Sequence, residues 1–319
     1  MQKLLILIVK YFVFAAVFYI LLLILWGDFG HYRWLKQNLI YKKGTYGHMY
    51  TRIQEAKGTK NVDILFIGSS RAYRGFDPRI FMARGFKTFN LGSGAQTPLQ
   101  TEVLLNRYLD SLNPHLIIYE VNPIDFSGDG LESALDIISN DQIDIESLKM
   151  TIKLNNIKVY NTLIYSFYRG LPFYDYYRKI LFGKEGFKAE KRRPPDTYIS
   201  GGFVQKDMSY FKHQGYEKKK WQLNSIQLKI FRKIIKMISG KNIKLILVQS
   251  PYPESFYKSF ADTDYFDDII SSSGEYHNFN KIIHLNDSLH FIDEYHLNQD
   301  GVKLFNKQLL DDVINASSK

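Results

Sequence analysis

At 319 residues, 45% of them hydrophobic, the chain has enough apolar material for one large or two small packed domains. The formal net charge of +10 raises a nucleic-acid reading, but the basic residues are dispersed and no nucleic-acid motif occurs, so anionic lipid or an anionic polymer is the better partner. The absence of cysteine rules out disulfides and thiolate metal sites, and the eight histidines show no metal-ligand spacing. His277, His284 and His290 are therefore read as surface or packing residues, and neither metal nor cofactor is expected.

Residues 4–26 form an almost wholly apolar stretch, long enough at about 1.5 Å per residue to cross a bilayer core of about 30 Å. Lys10 sits near its N-terminal end, where it can snorkel to the headgroups. No small-x-small cleavage site follows, since Trp26-Gly27-Asp28 is a poor exit, so an uncleaved signal anchor over residues 1–28 is expected. Lys3 and Lys10 lie before the span, with Arg33, Lys36, Lys42 and Lys43 after it, so the positive-inside rule does not set its orientation. Residues 29–60 carry Tyr32, Trp34, Tyr41, Tyr46 and Tyr50 among basic residues. Two readings stand: a segment along the membrane surface, or a plain linker.

From residue 61 to 319 the pattern is that of one α/β domain. Val62–Ile67 is a buried strand, broken by Gly68-Ser69-Ser70. A short helix from Pro78, a strand around Phe86–Phe89, a helix around Thr97–Leu109 and a strand His115–Val121 follow. Their alternation implies a parallel sheet with right-handed crossovers. Residues 126–220 interrupt the pattern, beginning acidic and becoming strongly aromatic and basic over Tyr165–Phe182 and Lys184–Arg193. Three readings stay open for the aromatics: the core of a helical insertion, a sugar-stacking groove, or a membrane or partner surface. Lys188 to Gly202 reads as an exposed loop, a candidate lid. Leu223, Ile226, Ile230, Ile234 and Met237 then trace a helix ended by Gly240, before a strand Lys244–Val248, a last short strand Ile282–His284 and a closing helix Val302–Val313.

Chemistry-bearing residues fall at the strand ends. Ser70 follows the first strand, where loops of an open α/β sheet converge, and is the candidate nucleophile. Asp293 and His296, three apart before the last helix, suit a carboxylate that orients an imidazole whose other nitrogen faces a serine. Between them lie Phe89-Asn90-Leu91-Gly92-Ser93-Gly94 and Tyr119-Glu120-Val121-Asn122-Pro123. Arg71 and Arg74 flank the serine, as ordinary surface charge or as a polymer contact.

These four pieces, in this order, resemble the blocks of the SGNH (GDSL-like) hydrolase superfamily. Within it the chain is most similar to membrane-anchored members that modify surface polymers, such as the alginate O-acetylation proteins and the teichoic-acid D-alanyl transfer protein. The likeness covers roughly residues 60–125 and 240–316. It implies a three-layer, flavodoxin-like α/β fold, with Ser70, Asp293 and His296 as the triad and Gly92 or Gly94 with Asn122 as oxyanion donors. Ser69 stands where the commonest motif has Asp, and the glycines of the second block are separated by one residue instead of two. Pro123 replaces the Asp that often follows the block-three Asn. The resemblance also implies an extracytoplasmic domain, an acyltransferase or esterase activity on envelope polysaccharide, and a multi-spanning membrane acyltransferase as partner. A non-catalytic, membrane-anchored glycan-binding or partner subunit is the alternative.

Overall fold

The computed structural model describes residues 1–30, 43–44, 47–183, 187–212 and 214–314. The chain opens with α1 (Gln2–Phe29) and α2 (Met49–Gly58). An α/β unit follows as β1 (Ile64–Ile67), α3 (Ser70–Gly75), α4 (Pro78–Met82), β2 (Thr88–Asn90), α5 (Pro98–Leu112), β3 (Leu116–Glu120) and α6 (Pro123–Ser127). Next come α7 (Leu131–Asn140), α8 (Ile145–Leu154), α9 (Ile157–Arg169) and α10 (Tyr174–Phe182), then the short strands β4 (Arg192–Arg193), β5 (Asp196–Ile199) and β6 (Phe203–Lys206). The α/β pattern returns with α11 (Ser225–Ser239), β7 (Lys244–Gln249), α12 (Glu254–Tyr257), α13 (Thr263–Ser271), β8 (Glu275–Asn278), α14 (Phe279–Ile282), α15 (Asp287–His290) and α16 (Gln299–Leu309).

The large sheet runs β2-β1-β3-β7-β8, with every pairing parallel. Counted by their own succession the strands stand 2-1-3-4-5, the flavodoxin-like doubly wound order. Period-two alternation splits the strands between two cores. Leu65, Ile67, Ile117, Tyr119 and Leu247 face one layer built from α2, α5, α7 and α11. Ile64, Phe66, Ile118, Ile246 and Val248 face the other, with Ala72 of α3, Phe76 just after it, Phe81 of α4 and Phe305 of α16. Stacking of Phe66 on Phe76, with ring centroids 4.4 Å apart, locks the strand that leads into Ser70 against the helix that Ser70 opens.

Four elements depart from the sequence pattern. The last strand is Glu275–Asn278, registered on Ile246–Gln249, while the region around Ile282 is helical. The cause is local: the Asn278 side chain accepts from Asn280 N–H and caps α14, ending the strand before the apolar pair Ile282-Ile283 arrives. Residues 70–75, expected as loop, form α3, capped by Ser69. Part of the expected linker is core, because α2 buries Met49, Ile53 and Ala56 at helical spacing. The aromatics at positions 32, 34, 41 and 46 lie outside the described residues.

The stretch Lys188 to Gly202 is exposed over 188–192 and 194–195, as expected of a loop, but from Asp196 it is tied into a small sheet. β5 and β6 pair antiparallel and bury Tyr198, Phe203 and Val204, and Asn90 N–H donates to Gly201 O at 2.8 Å. Gly202, at φ +84°, presses so close to β2 that a Cβ there would lie 2.2 Å from Asn90 O. Only glycine fits both the dihedral and the contact. The aromatic insertion divides: Val159, Tyr165 and Tyr174 are buried, whereas Phe167, Phe173, Tyr176 and Tyr177 are exposed.

Candidate active site

β1 and β3 are the neighbours at which the strand order reverses, and their carboxyl ends are where such sheets place ligands. After Ile67 the chain turns through Gly68 at φ +140°, where a Cβ would sit 2.9 Å from Glu120 O. Ser69 caps the helix and Ser70 becomes its first residue, so the Ser70 amide has no intrahelical partner.

The second arm comes from the loop before α16. Phe291 and Leu297 form an antiparallel bridge, and Ile292 N–H donates to His296 O at 2.9 Å, which pinches residues 292–296 into a tight turn. Within it Asp293 Oδ1 accepts from Tyr295 N–H and His296 N–H, each at 2.9 Å, and lies 2.8 Å from His296 Nδ1. The other ring nitrogen, Nε2, lies 2.8 Å from Ser70 Oγ. An ionised carboxylate can only accept, which assigns the ring proton to Nδ1 and leaves Nε2 to accept from the serine hydroxyl. The structure thus brings Ser70, His296 and Asp293 into one hydrogen-bonded line.

Electrostatics set their protonation. Burial pushes the Asp293 carboxyl up, but the His296 hydrogen bond and charge, the Tyr295 N–H and the nearby Lys206 outweigh it and hold it at about 2. His296 is lowered, first by burial and then by Arg74 and Arg71, against the opposing pull of Asp293. The imidazole is therefore neutral at neutral pH, the form in which it accepts a proton.

Behind this line lies a buried charge cluster that sequence reasoning missed. Arg71, read as surface charge or polymer contact, is 5% exposed. Its Nε donates to Glu120 Oε1 at 3.0 Å, and its terminal nitrogens donate to the carbonyls of Tyr295, Ser250 and Pro251. The guanidinium also lies 3.5 Å from the centroid of the Tyr252 ring. One side chain thus ties the serine helix to the ends of β3 and β7 and to the histidine loop. Arg74 pairs in bidentate fashion with Asp196, at 2.9 and 2.8 Å, and joins α3 to β5.

The three residues expected to hold an oxyanion are placed differently. Gly92 abuts the serine loop, since a Cβ there would lie 2.9 Å from the carbonyls of Gly68 and Ser69, but its N–H donates to Asn90 Oδ1 at 3.1 Å. Asn122 is fully buried; its Oδ1 caps α6 and its Nδ2 donates to Asp125 Oδ2 at 2.6 Å and Glu120 Oε2 at 3.2 Å. Both of its amide protons are thus engaged by carboxylates rather than free for a substrate. Burial and the Glu120 charge raise Asp125, which favours a proton on that carboxyl. Gly94 and Ser70 carry amides with no hydrogen-bond partner among the described residues.

A hollow of about 10 Å³ lies on the arginine side of His296, lined by Arg71, Arg74, Ser250, Pro251 and Tyr295, and Ser70 does not line it. A far larger cavity of about 610 Å³ lies between the C-terminal end of α1 and α7, α9 and α10, and no triad residue lines it.

No family model and no curated protein matches the chain. Among solved structures it is similar to a proposed acylhydrolase from Bacteroides fragilis NCTC 9343, at 11% identity and a TM-score of 0.43, over 86% of this chain and 99% of that one. At those values the likeness leaves activity to be argued from the side chains.

Proposed function

We propose that the protein is a serine acyl-transfer enzyme acting through an acyl-Ser70 intermediate. The observation that carries this reading is the 2.8 Å approach of His296 Nε2 to Ser70 Oγ, with Asp293 on the opposite ring nitrogen. His296 takes the hydroxyl proton as Oγ attacks an ester carbonyl, and returns it to the departing alcohol as the tetrahedral intermediate collapses. Water or a second hydroxyl, deprotonated by the same imidazole, then attacks the acyl-serine and frees Ser70. The Ser70 and Gly94 amides are the donors available to the oxyanion, each such donor contributing about 3–4 kcal/mol to lowering a barrier of this kind.

The substrate is an envelope polysaccharide or polymer on the outer side of a membrane, supplied with acyl groups by a multi-spanning acyltransferase. The resemblance to membrane-anchored SGNH members and the apolar α1 support that assignment. Brief exposure of the full chain in detergent to p-nitrophenyl acetate, followed by peptide mass spectrometry, tests the chemistry: an acetyl adduct on Ser70, lost in Ser70→Ala, is expected. A folded sample without adduct or turnover defeats it.

A second reading has its own support. The engaged amides of Gly92 and Asn122 leave fewer oxyanion donors than the resemblance implies, which favours a non-catalytic subunit that keeps the fold to hold glycan or partner. Retained binding of acylated oligosaccharide by Ser70→Ala, with no turnover by either protein, is its signature.

A further inference from the structure

We propose that α9 and α10 are seated in the headgroup layer of the bilayer that α1 enters, making the exposed face of the insertion a membrane-contact surface. The inference rests on α1 crossing a membrane, and it follows from how α1 is docked. The last third of α1 is bound to the domain. Tyr19 OH donates to Asn161 Oδ1 at 2.7 Å, Leu23 is buried with Tyr165, and Asp28 accepts from the hydroxyls of Tyr165 and Tyr168, each at 3.0 Å. At Gly27 a Cβ would lie 2.2 Å from the Tyr165 ring, so the two helices meet at van der Waals distance.

Length then decides where the domain sits. If the docked stretch from Tyr19 onward stood clear of the membrane, only residues 2–18 would remain to cross it, about 25 Å of helix at 1.5 Å per residue. A hydrocarbon core of about 30 Å needs more. The shortfall is made up by drawing Tyr19 and the residues after it, and with them the α9 side chains they touch, down to the level of the lipid.

The surface placed there has the matching chemistry. Phe173, Tyr176, Tyr177, Ile180 and Leu181 fall three or four residues apart along one stripe of α10 and its entry, and with Phe167 of α9 each is more than half exposed. Tyr174 of α10 is buried and donates to Asp28, and Arg178 donates to the Tyr174 hydroxyl. Exposed Lys179 borders the stripe on α10, and exposed Lys158 lies in the first turn of α9. Aromatic rings with polar tips, aliphatic side chains and cations are the composition of a helix lying in an anionic interface.

The chain has no cysteine, so single labels are straightforward. Full-length Phe173→Cys, Tyr177→Cys and Leu181→Cys, spin-labelled in nanodiscs containing phosphatidylglycerol, are compared with Val13→Cys in α1 and Tyr265→Cys on α13. The labels on α10 are expected to relax several-fold more with oxygen than with a nickel chelate, relative to Tyr265→Cys. Aqueous behaviour at all three positions with Val13→Cys in lipid overturns the seating alone. Protection from both reagents means that protein covers the stripe, which also overturns it. An aqueous Val13→Cys removes the span itself and the inference with it. Acetylation of Ser70 is read separately and is indifferent to all of these outcomes.

Discussion

Asp293 and Asp28 are the carboxylates around which the two ends of the molecule close, and their partners differ in kind. Asp293 gathers two backbone N–H groups and an imidazole from its own turn, and that imidazole faces Ser70. Asp28 gathers phenols from residues 137 to 146 positions away, with Tyr168 pushed upward by burial and by the carboxylate, and Tyr165 by burial, by Tyr174 and then by the carboxylate. An imidazole titrates near neutrality and can pass a proton on; a raised phenol cannot. The first arrangement suits the proton transfer proposed for it, the second the holding of a helix.

The largest effects belong to the first. Ser70→Ala and His296→Ala should each lower turnover of p-nitrophenyl acetate about 10⁴-fold or more, and the double variant should be no worse than either, since the residues act as a unit. Asp293→Asn should lose about 10⁴-fold without unfolding, because an amide on that side favours the wrong imidazole tautomer. Additive losses, or a fully active Asp293→Asn, would break the contrast just drawn.

Next comes the support behind the serine. Arg71→Ala leaves Glu120, 1% exposed, without its cation, and breaking a buried pair from one side costs about 3–5 kcal/mol. Thermal stability and turnover should fall together, with turnover falling further than the melt predicts because the histidine loop loses its tether at Tyr295 O. An unchanged melting temperature would count against the tie that Arg71 is assigned.

The pH profile is gentler. His296 must be neutral to act, and its folded pKa lies below the ordinary 6.5. Activity should hold down through pH 6.5 and fall about tenfold per unit only below the lowered value. Stability has the same sign: between the two pKa values the unfolded chain binds more protons, so the imidazole's contribution is present above 6.5 and lost as pH falls. Asp293, held at about 2, keeps its contribution until the pH drops below the ordinary carboxylate range. An acid limb centred above 6.5 would contradict this reading of the site.

How much of this was legible in the sequence depends on how local each cause is. Strand alternation, the break at Gly68 and the Asp-x-x-His turn are local, and the structure brings Ser70, Asp293 and His296 together. Arg71 was misread because its partners lie up to 224 residues away, and nothing nearby signals burial. Asn122 was open to a better reading: Asn, then Pro123 at the first helical position and Asp125 three residues on, is a helix-cap pattern. The edge strand Glu275–Asn278 is polar and partly exposed, so it lacks the apolar run that signalled the inner strands. In α2 the spacing of Met49, Ile53 and Ala56 was present, but the basic and aromatic composition around it suggested a surface segment.

The smallest effect sharpens the Asp28 side. Tyr168→Phe removes one donor from the carboxylate and should cost about 1 kcal/mol, a few degrees or less in a chain of this size. Tyr165→Phe should cost more, because Tyr165 is nearly buried and its hydroxyl meets that of Tyr174 as well as Asp28. The hydroxyls share one acceptor, so the double variant should depart from additivity, by about 0.5 kcal/mol or more in a double-mutant cycle on the full chain in detergent. Turnover at Ser70 should be unaffected by all three, because no residue of the clasp touches the triad. Strict additivity would mean that the tyrosines bind Asp28 independently and that α1 is held mainly by Leu23 and Gly27. A fall in turnover would instead show that the docking of α1 reaches the serine loop, and the two ends of the molecule could no longer be treated as separate devices.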